Sequence, residues 1–131
     1  MTNPLASTKL FGLNNYLLDL IKLHDQEKFP KVIMLSGKKG LCKFTLVNHL
    51  MNYIFAKNEY DINSQEINNK SIIYNQIIND LFENVSFINN ESNNKIKIDD
   101  VRALKSKLFK SSLNEGPQFF IFNDIDLLSV N

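Results

Sequence analysis

Four apolar residues, Val32, Ile33, Met34 and Leu35, run into Ser36-Gly37-Lys38-Lys39-Gly40-Leu41-Cys42-Lys43 and then into a helix-forming stretch. No other feature constrains the chain as much. A buried strand, a glycine-bearing turn and a lysine opening a helix make the layout of a phosphate-binding loop. In the intact pattern G-x-x-x-x-G-K-[ST], backbone N–H groups cradle the phosphates, the lysine reaches the outer ones and the hydroxyl holds Mg²⁺. Gly37 and Lys43 keep that spacing, with Gly40 between them. Cys42, however, stands where the last glycine belongs, and Phe44 stands where the hydroxyl belongs. A phenyl ring has no atom that ligates magnesium. Thr45 is one residue late, and in a helix that turns its side chain by about 100°. Any remaining nucleotide contacts fall to Gly37, Gly40, Cys42, Lys43 and Phe44, through backbone N–H groups and one ammonium.

The rest of the chain supplies the α/β frame such a loop needs. Leu13, Leu17, Leu20, Ile21 and Leu23 recur at helical spacing among charged residues, so residues 13–29 are expected to form an amphipathic helix stopped by Pro30. Residues 32–35 read as a strand buried on both faces. Residues 43–56 read as a second helix, with Leu46, Val47, Leu50, Met51, Ile54 and Phe55 on its buried side. Residues 57–80 carry little pattern, and a helix is expected around 71–82 after a polar loop. Residues 85–88 are a second strand, and 89–95 a polar loop. Asp99 or Asp100 caps a further helix bearing Val101, Leu104 and Leu108. Phe119-Phe120-Ile121-Phe122 is a third, buried strand after the Gly116-Pro117 turn. Strands separated by helices argue for a mostly parallel sheet.

Composition narrows the function classes. The 131 residues amount to one domain at most, with 44% hydrophobic and 22% charged residues as in globular proteins. A net charge of +1 gives no global field for nucleic acid. The single cysteine excludes an internal disulfide and a cysteine-built zinc cluster, which fits a reducing compartment. The sequence contains neither a signal peptide nor a membrane-spanning window, so a cytoplasmic location is expected. Cys42 reads as a small, buried or half-buried residue. His24 and His49 lack a neighbouring ligand set and read as surface or satisfied positions. Arg102, Lys105, Lys107 and Lys110 form a basic face, read as a solvated one whose lysines complement the helix dipole.

The third strand carries the second half of the site. In the intact pattern, four apolar residues end in a carboxylate that supports magnesium, usually followed by a second acid that polarises water. Here Asn123 takes the first acidic position and Asp124 the second. An amide is a poor magnesium ligand beside a carboxylate. Phe44 and Asn123 thus remove both protein contributions to one ion.

With these motifs in place, the chain resembles the AAA+ clamp-loader subunits of bacterial DNA polymerase III, most closely the delta-prime type. The resemblance rests on Leu10-Phe11-Gly12, on Phe29-Pro30-Lys31 leading into Gly37, and on Leu127-Leu128-Ser129-Val130-Asn131. Its most specific part is Ile96-Lys97-Ile98-Asp99-Asp100-Val101-Arg102-Ala103-Leu104. It implies a parallel-sheet P-loop NTPase core of the AAA+ type, with residues 1–131 forming the N-terminal part of that single domain. A further strand after Asn131 would then separate 32–35 from 119–122. It implies a structural subunit without ATPase activity of its own, any enzyme label being inherited from the DNA-directed DNA polymerase holoenzyme. The implied partners are the other subunits of a hetero-oligomeric ring and, through it, the sliding clamp and primer-template DNA. The zinc-binding cysteines of the sister ATPase subunits are missing, so no zinc is expected. The rival expectation is an active P-loop ATPase in which Thr45 and Asp124 replace the displaced ligands.

Overall fold

The computed structural model describes residues 7–38, 40–88, 102 and 116–122. The chain divides into two compact units, Met1–Ile78 and Asn79–Asn131. The first contains α1 (Asn14–Asp25), α2 (Lys43–Phe55) and α3 (Ile72–Ile78); the second contains β1 (Val85–Ile88) and β2 (Phe119–Phe122). This is an α/β chain with a two-stranded parallel sheet among the described residues.

In the first unit, α1 buries Leu17 and Ile21, one helical turn apart, and half-buries Leu13, Leu20 and Leu23. Its end corrects the expected stop at Pro30. Glu27 adopts φ +57°, its N–H donates to the His24 carbonyl at 3.0 Å, and the Lys28 N–H donates to the Leu23 carbonyl at 2.9 Å. This pair of bonds satisfies the last carbonyls and closes the helix several residues before the proline.

Packed between α1 and α3, α2 is buried over most of its circumference. Leu46, Leu50 and Met51 are core residues as expected, whereas Val47, Ile54 and Phe55 are only half-buried. Thr45, Asn48, His49 and Asn52 are buried in their place. The amphipathic reading assumed one covered face, but this helix has neighbours on several. Tyr60, from the loop beyond α2, sets its ring edge-on to His49 and to Tyr53, with centroids 5.7 and 6.2 Å apart. At the far end, the Tyr53 hydroxyl donates to Asp25 Oδ2 at 2.7 Å and ties α2 to the last residue of α1. That bond is the main cause of a lowered Asp25 pKa; burial and then the Asp25 carboxylate raise the phenol's.

The poorly patterned stretch after α2 is held by polar side chains rather than by hydrophobic spacing. Asp61 and Glu66 exchange backbone N–H···O bonds of 3.1 Å, and Asp61 Oδ1 accepts the N–H groups of Asn63 and Ser64. Gln65, buried at the end of this turn, exchanges hydrogen bonds with Asn14 at the start of α1. Ser71 Oγ accepts the Tyr74 N–H and so caps α3, while donating to Glu59 Oε2 at 2.5 Å. That helix ends at Ile78, short of the expected 82, where Asp80 turns to φ +57°.

In the second unit, β1 and β2 pair in parallel with Val85 opposite Phe119 and Ile88 opposite Phe122. Thirty residues separate the two strands, ample for the crossover that parallel neighbours require. Asn84 sets the register. Its carbonyl accepts the Phe119 N–H at 2.7 Å and its side-chain amide donates to the Pro117 carbonyl at 3.0 Å. Phe119, Phe120 and Ile121 are half-buried and Phe122 is exposed, which corrects the expectation of a buried strand. Among the described residues the ladder has only two strands, too few to cover their side chains fully.

A second correction concerns residues 32–35. They form neither helix nor strand, and the described sheet consists of β1 and β2 alone. Val32 is 86% exposed and Met34 76%. A run of apolar residues is not sufficient for a buried strand, because its backbone groups need a hydrogen-bonded neighbour before water can be excluded. The expected polar loop at 89–95 lies outside the described residues. So does the expected helix after Asp99–Asp100, except for Arg102, which is helical and exposed.

Candidate functional site

The described residues leading into α2 include two with positive φ, Gly40 and Cys42. Gly40 takes φ +90°, available to glycine at little steric cost. Cys42, at the N-cap of α2, takes the left-handed conformation at φ +58°, ψ +29°, and makes no side-chain cap. This is the position of the last glycine in the intact pattern, and the cysteine occupies glycine-like backbone geometry. A side chain there costs roughly 1–2 kcal/mol relative to the right-handed region. The thiol is exposed, contrary to the expectation of a buried or half-buried residue, and Sγ lies 3.9 Å from the Gly40 carbonyl oxygen.

Lys43 opens α2, and its stem is half-buried along the loop. Its ammonium donates to the Gly37 carbonyl at 2.5 Å and to the Lys38 carbonyl at 3.3 Å. The Lys38 carbonyl also accepts the Leu41 N–H, at 3.4 Å. Gly37 is where the loop is tightest: a Cβ on it would lie 3.1 Å from Leu41 Cδ1 and 3.9 Å from Lys43 Nζ. Phe44 follows on the first turn of α2, half-buried, and Thr45 is 4% exposed.

Gly37, Gly40, Cys42, Lys43 and Phe44 are therefore assembled in one loop and one helical turn. Asn123 and Asp124 lie outside the described residues. Sequence spacing missed the parts played by the Lys38 carbonyl and the Leu41 side chain, because main-chain acceptors and loop contacts leave no residue-type signal. Among the described residues, no group of three or more His, Cys, Asp or Glu side chains is placed to hold a metal ion. An open cleft of about 280 Å³ in the first unit is lined by Thr8, Glu59, Asp61, Glu66 and their neighbours, and includes none of the loop residues.

His49 is a titratable group in the interior of this unit, alongside the buried tyrosines Tyr53, Tyr60 and Tyr74. It is wholly buried, with Nδ1 2.9 Å from the Tyr60 hydroxyl and no hydrogen bond to Nε2 among the described residues. Burial drives the imidazole down to about 4, the Ser7 backbone acting in the other direction. It is a packed, neutral core residue. No described helix is long and apolar enough to cross a membrane.

No curated protein and no solved structure matches the chain. The family model described as DNA polymerase III, delta subunit, matches residues 13–131, a span containing the loop and the helices and strands α1–α3, β1 and β2. On that match the chain belongs to the DNA polymerase III delta-subunit family, clamp-loader-type subunits that act in DNA replication.

Proposed function

We propose that this chain is a non-catalytic, structural subunit of the clamp loader, of the delta-prime type. It takes a fixed place in a ring of AAA+ subunits, and the ATP-driven changes that open the sliding clamp come from its neighbours. Sliding clamp and primer-template DNA are reached through the complex, in the cytoplasm. The observation that carries this reading is Phe44 on the first turn of α2, where a metal-binding hydroxyl is required. Cys42 in place of the preceding glycine and Asn123 in place of the first acid support the same conclusion. These residues do not fit a magnesium–nucleotide group, since a phenyl ring and an amide stand where a hydroxyl and a carboxylate would hold the ion. Thr45, one residue late and 4% exposed, is a poor replacement for the missing hydroxyl because the helix turns its side chain by about 100° from that position.

The experiment is magnesium-dependent ATP turnover by the purified chain, alone and with the remaining clamp-loader subunits. Metal neutralisation of the transferring phosphate is worth several kcal/mol, and each ~1.4 kcal/mol is a factor of ten in rate. Turnover by the chain alone is expected at the level of the protein-free blank, while the chain co-elutes with its partner subunits. Turnover that disappears in a Lys43→Ala chain refutes the proposal and restores the ATPase reading.

A further inference from the structure

We infer that Lys43 closes its own loop when no nucleotide is present, its ammonium satisfied by the Gly37 and Lys38 carbonyls instead of standing free. The inference deepens the functional reading above but rests on independent geometry. An ammonium has three N–H donors, and two of those on Lys43 are directed at carbonyls of the same loop, Gly37 at 2.5 Å and Lys38 at 3.3 Å. The donor projects from the first residue of α2, so the helix fixes its origin. The acceptors lie five and six residues earlier, and the positive φ values of Gly40 and Cys42 fold the chain back between them. Leu41 seals the turn against Gly37 from the side. Hydrogen bonds from a charged donor are stronger than neutral ones, so these bonds hold the end of 32–38 against the start of α2. A phosphate would have to draw the ammonium away from both carbonyls.

The test compares thermal unfolding of the full chain with that of two variants, all in nucleotide-free buffer. Lys43→Met keeps the stem and removes the donors; Lys43→Arg keeps donors and charge. The expected result is a Tm lowered by about 4 °C or more in Lys43→Met, the shift that losing a hydrogen bond to a charged group causes in a domain of this size. Lys43→Arg should stay within about 2 °C of the parent chain. An unchanged Tm in Lys43→Met overturns the inference. So does a Lys43→Arg chain as unstable as Lys43→Met, which would show that packing of the stem, not the ammonium, holds the loop. A parallel titration with ADP addresses the functional reading alone. A Lys43-dependent rise in Tm with ADP would count against a nucleotide-free subunit while leaving the closed loop intact.

Discussion

The segment 32–35 and the helix α2 lie a few residues apart in sequence and have opposite fates. By composition the segment is the more apolar, yet Val32 and Met34 are largely exposed. In α2, Asn48, His49 and Asn52 are among the most deeply buried side chains described. The difference lies in where backbone hydrogen bonds come from. A helix satisfies its own N–H and C=O groups, so it can be buried wherever side-chain neighbours surround it, and it tolerates polar residues that find partners. Asn52 does so by donating to the Asn48 carbonyl one turn back, at 2.9 Å. An extended segment has no internal bonds, and hydrophobicity alone does not bury it.

The largest expected effect tests this contrast directly. Leu50→Ala in α2 should cost about 2–5 kcal/mol, the range for a buried leucine whose site does not collapse. Chemical denaturation monitored by far-UV circular dichroism measures it. A cost below about 1 kcal/mol would show that α2 is not the centre of the first unit.

The second prediction concerns the polar side of α2. The folded-state pKa of His49, about 4, lies below its unfolded value of 6.5. The unfolded chain therefore binds more protons between those values. Stability should be fully present above pH 6.5 and decline as pH falls toward 4, by up to about 3 kcal/mol. Tyr60 faces the imidazole but has its own pKa raised by burial and then by Asp61, so it stays protonated in this window. The Ser64 backbone N–H above all lowers the Asp61 pKa, so this carboxylate adds to the decline near pH 4 equally in the parent chain and in His49→Gln. Equilibrium unfolding from pH 7.5 to 4 should show the decline in the parent chain and a shallower one in His49→Gln. Parallel slopes would mean that the imidazole reaches water.

What the residues disclosed in advance follows the same division. The 3.6-residue spacing of Leu13, Leu17 and Ile21 located α1, and that of Leu46 and Leu50 located α2, because helices are local. The parallel pairing of β1 and β2 agrees with the expected parallel sheet, although 32–35 does not join it and the helix expected between the two strands lies outside the described residues; the turn into α2 was legible from its glycines. The early end of α1 was not, since it depends on Glu27 taking a conformation ordinarily left to glycine or asparagine. The turn at 61–66 was equally hidden, being held by Asp61 and Gln65 side chains instead of a Gly or Pro signal. At the site, residue types marked the positions of Cys42, Lys43 and Phe44. The bonds from Lys43 to two loop carbonyls left no trace in the sequence.

A smaller effect is expected at the junction between the two regions. Cys42 holds φ +58° where glycine would be unstrained. Cys42→Gly relieves roughly 1–2 kcal/mol in the folded chain and loses part of that to the greater freedom of glycine when unfolded. A net gain of about 0.5 kcal/mol is expected by denaturation. In the intact pattern this glycine also lets backbone approach phosphate, so calorimetric titration with ADP on the same variant asks whether the loop has kept any phosphate affinity. Equal affinity in the two chains would mean it has not.

The smallest expected effect is the most informative about 32–35. Val32 and Met34 make few contacts in the described structure, so Val32→Thr and Met34→Gln should each change stability by no more than about 0.5 kcal/mol, the usual range for exposed sites. Removing exposed apolar surface should also improve solubility at high concentration. Both are read from denaturation midpoints and from light scattering. The opposite outcome carries a specific meaning. If either polar substitution cost 2 kcal/mol or more, the segment would have to lie in a dry interior, and its backbone would then need a ladder partner. The same measurement on the chain assembled with its clamp-loader partners separates two ways this arises. A cost seen only in the assembly places the covering strand on another subunit. A cost seen already in the isolated chain places it within this polypeptide and makes 32–35 a sheet strand after all.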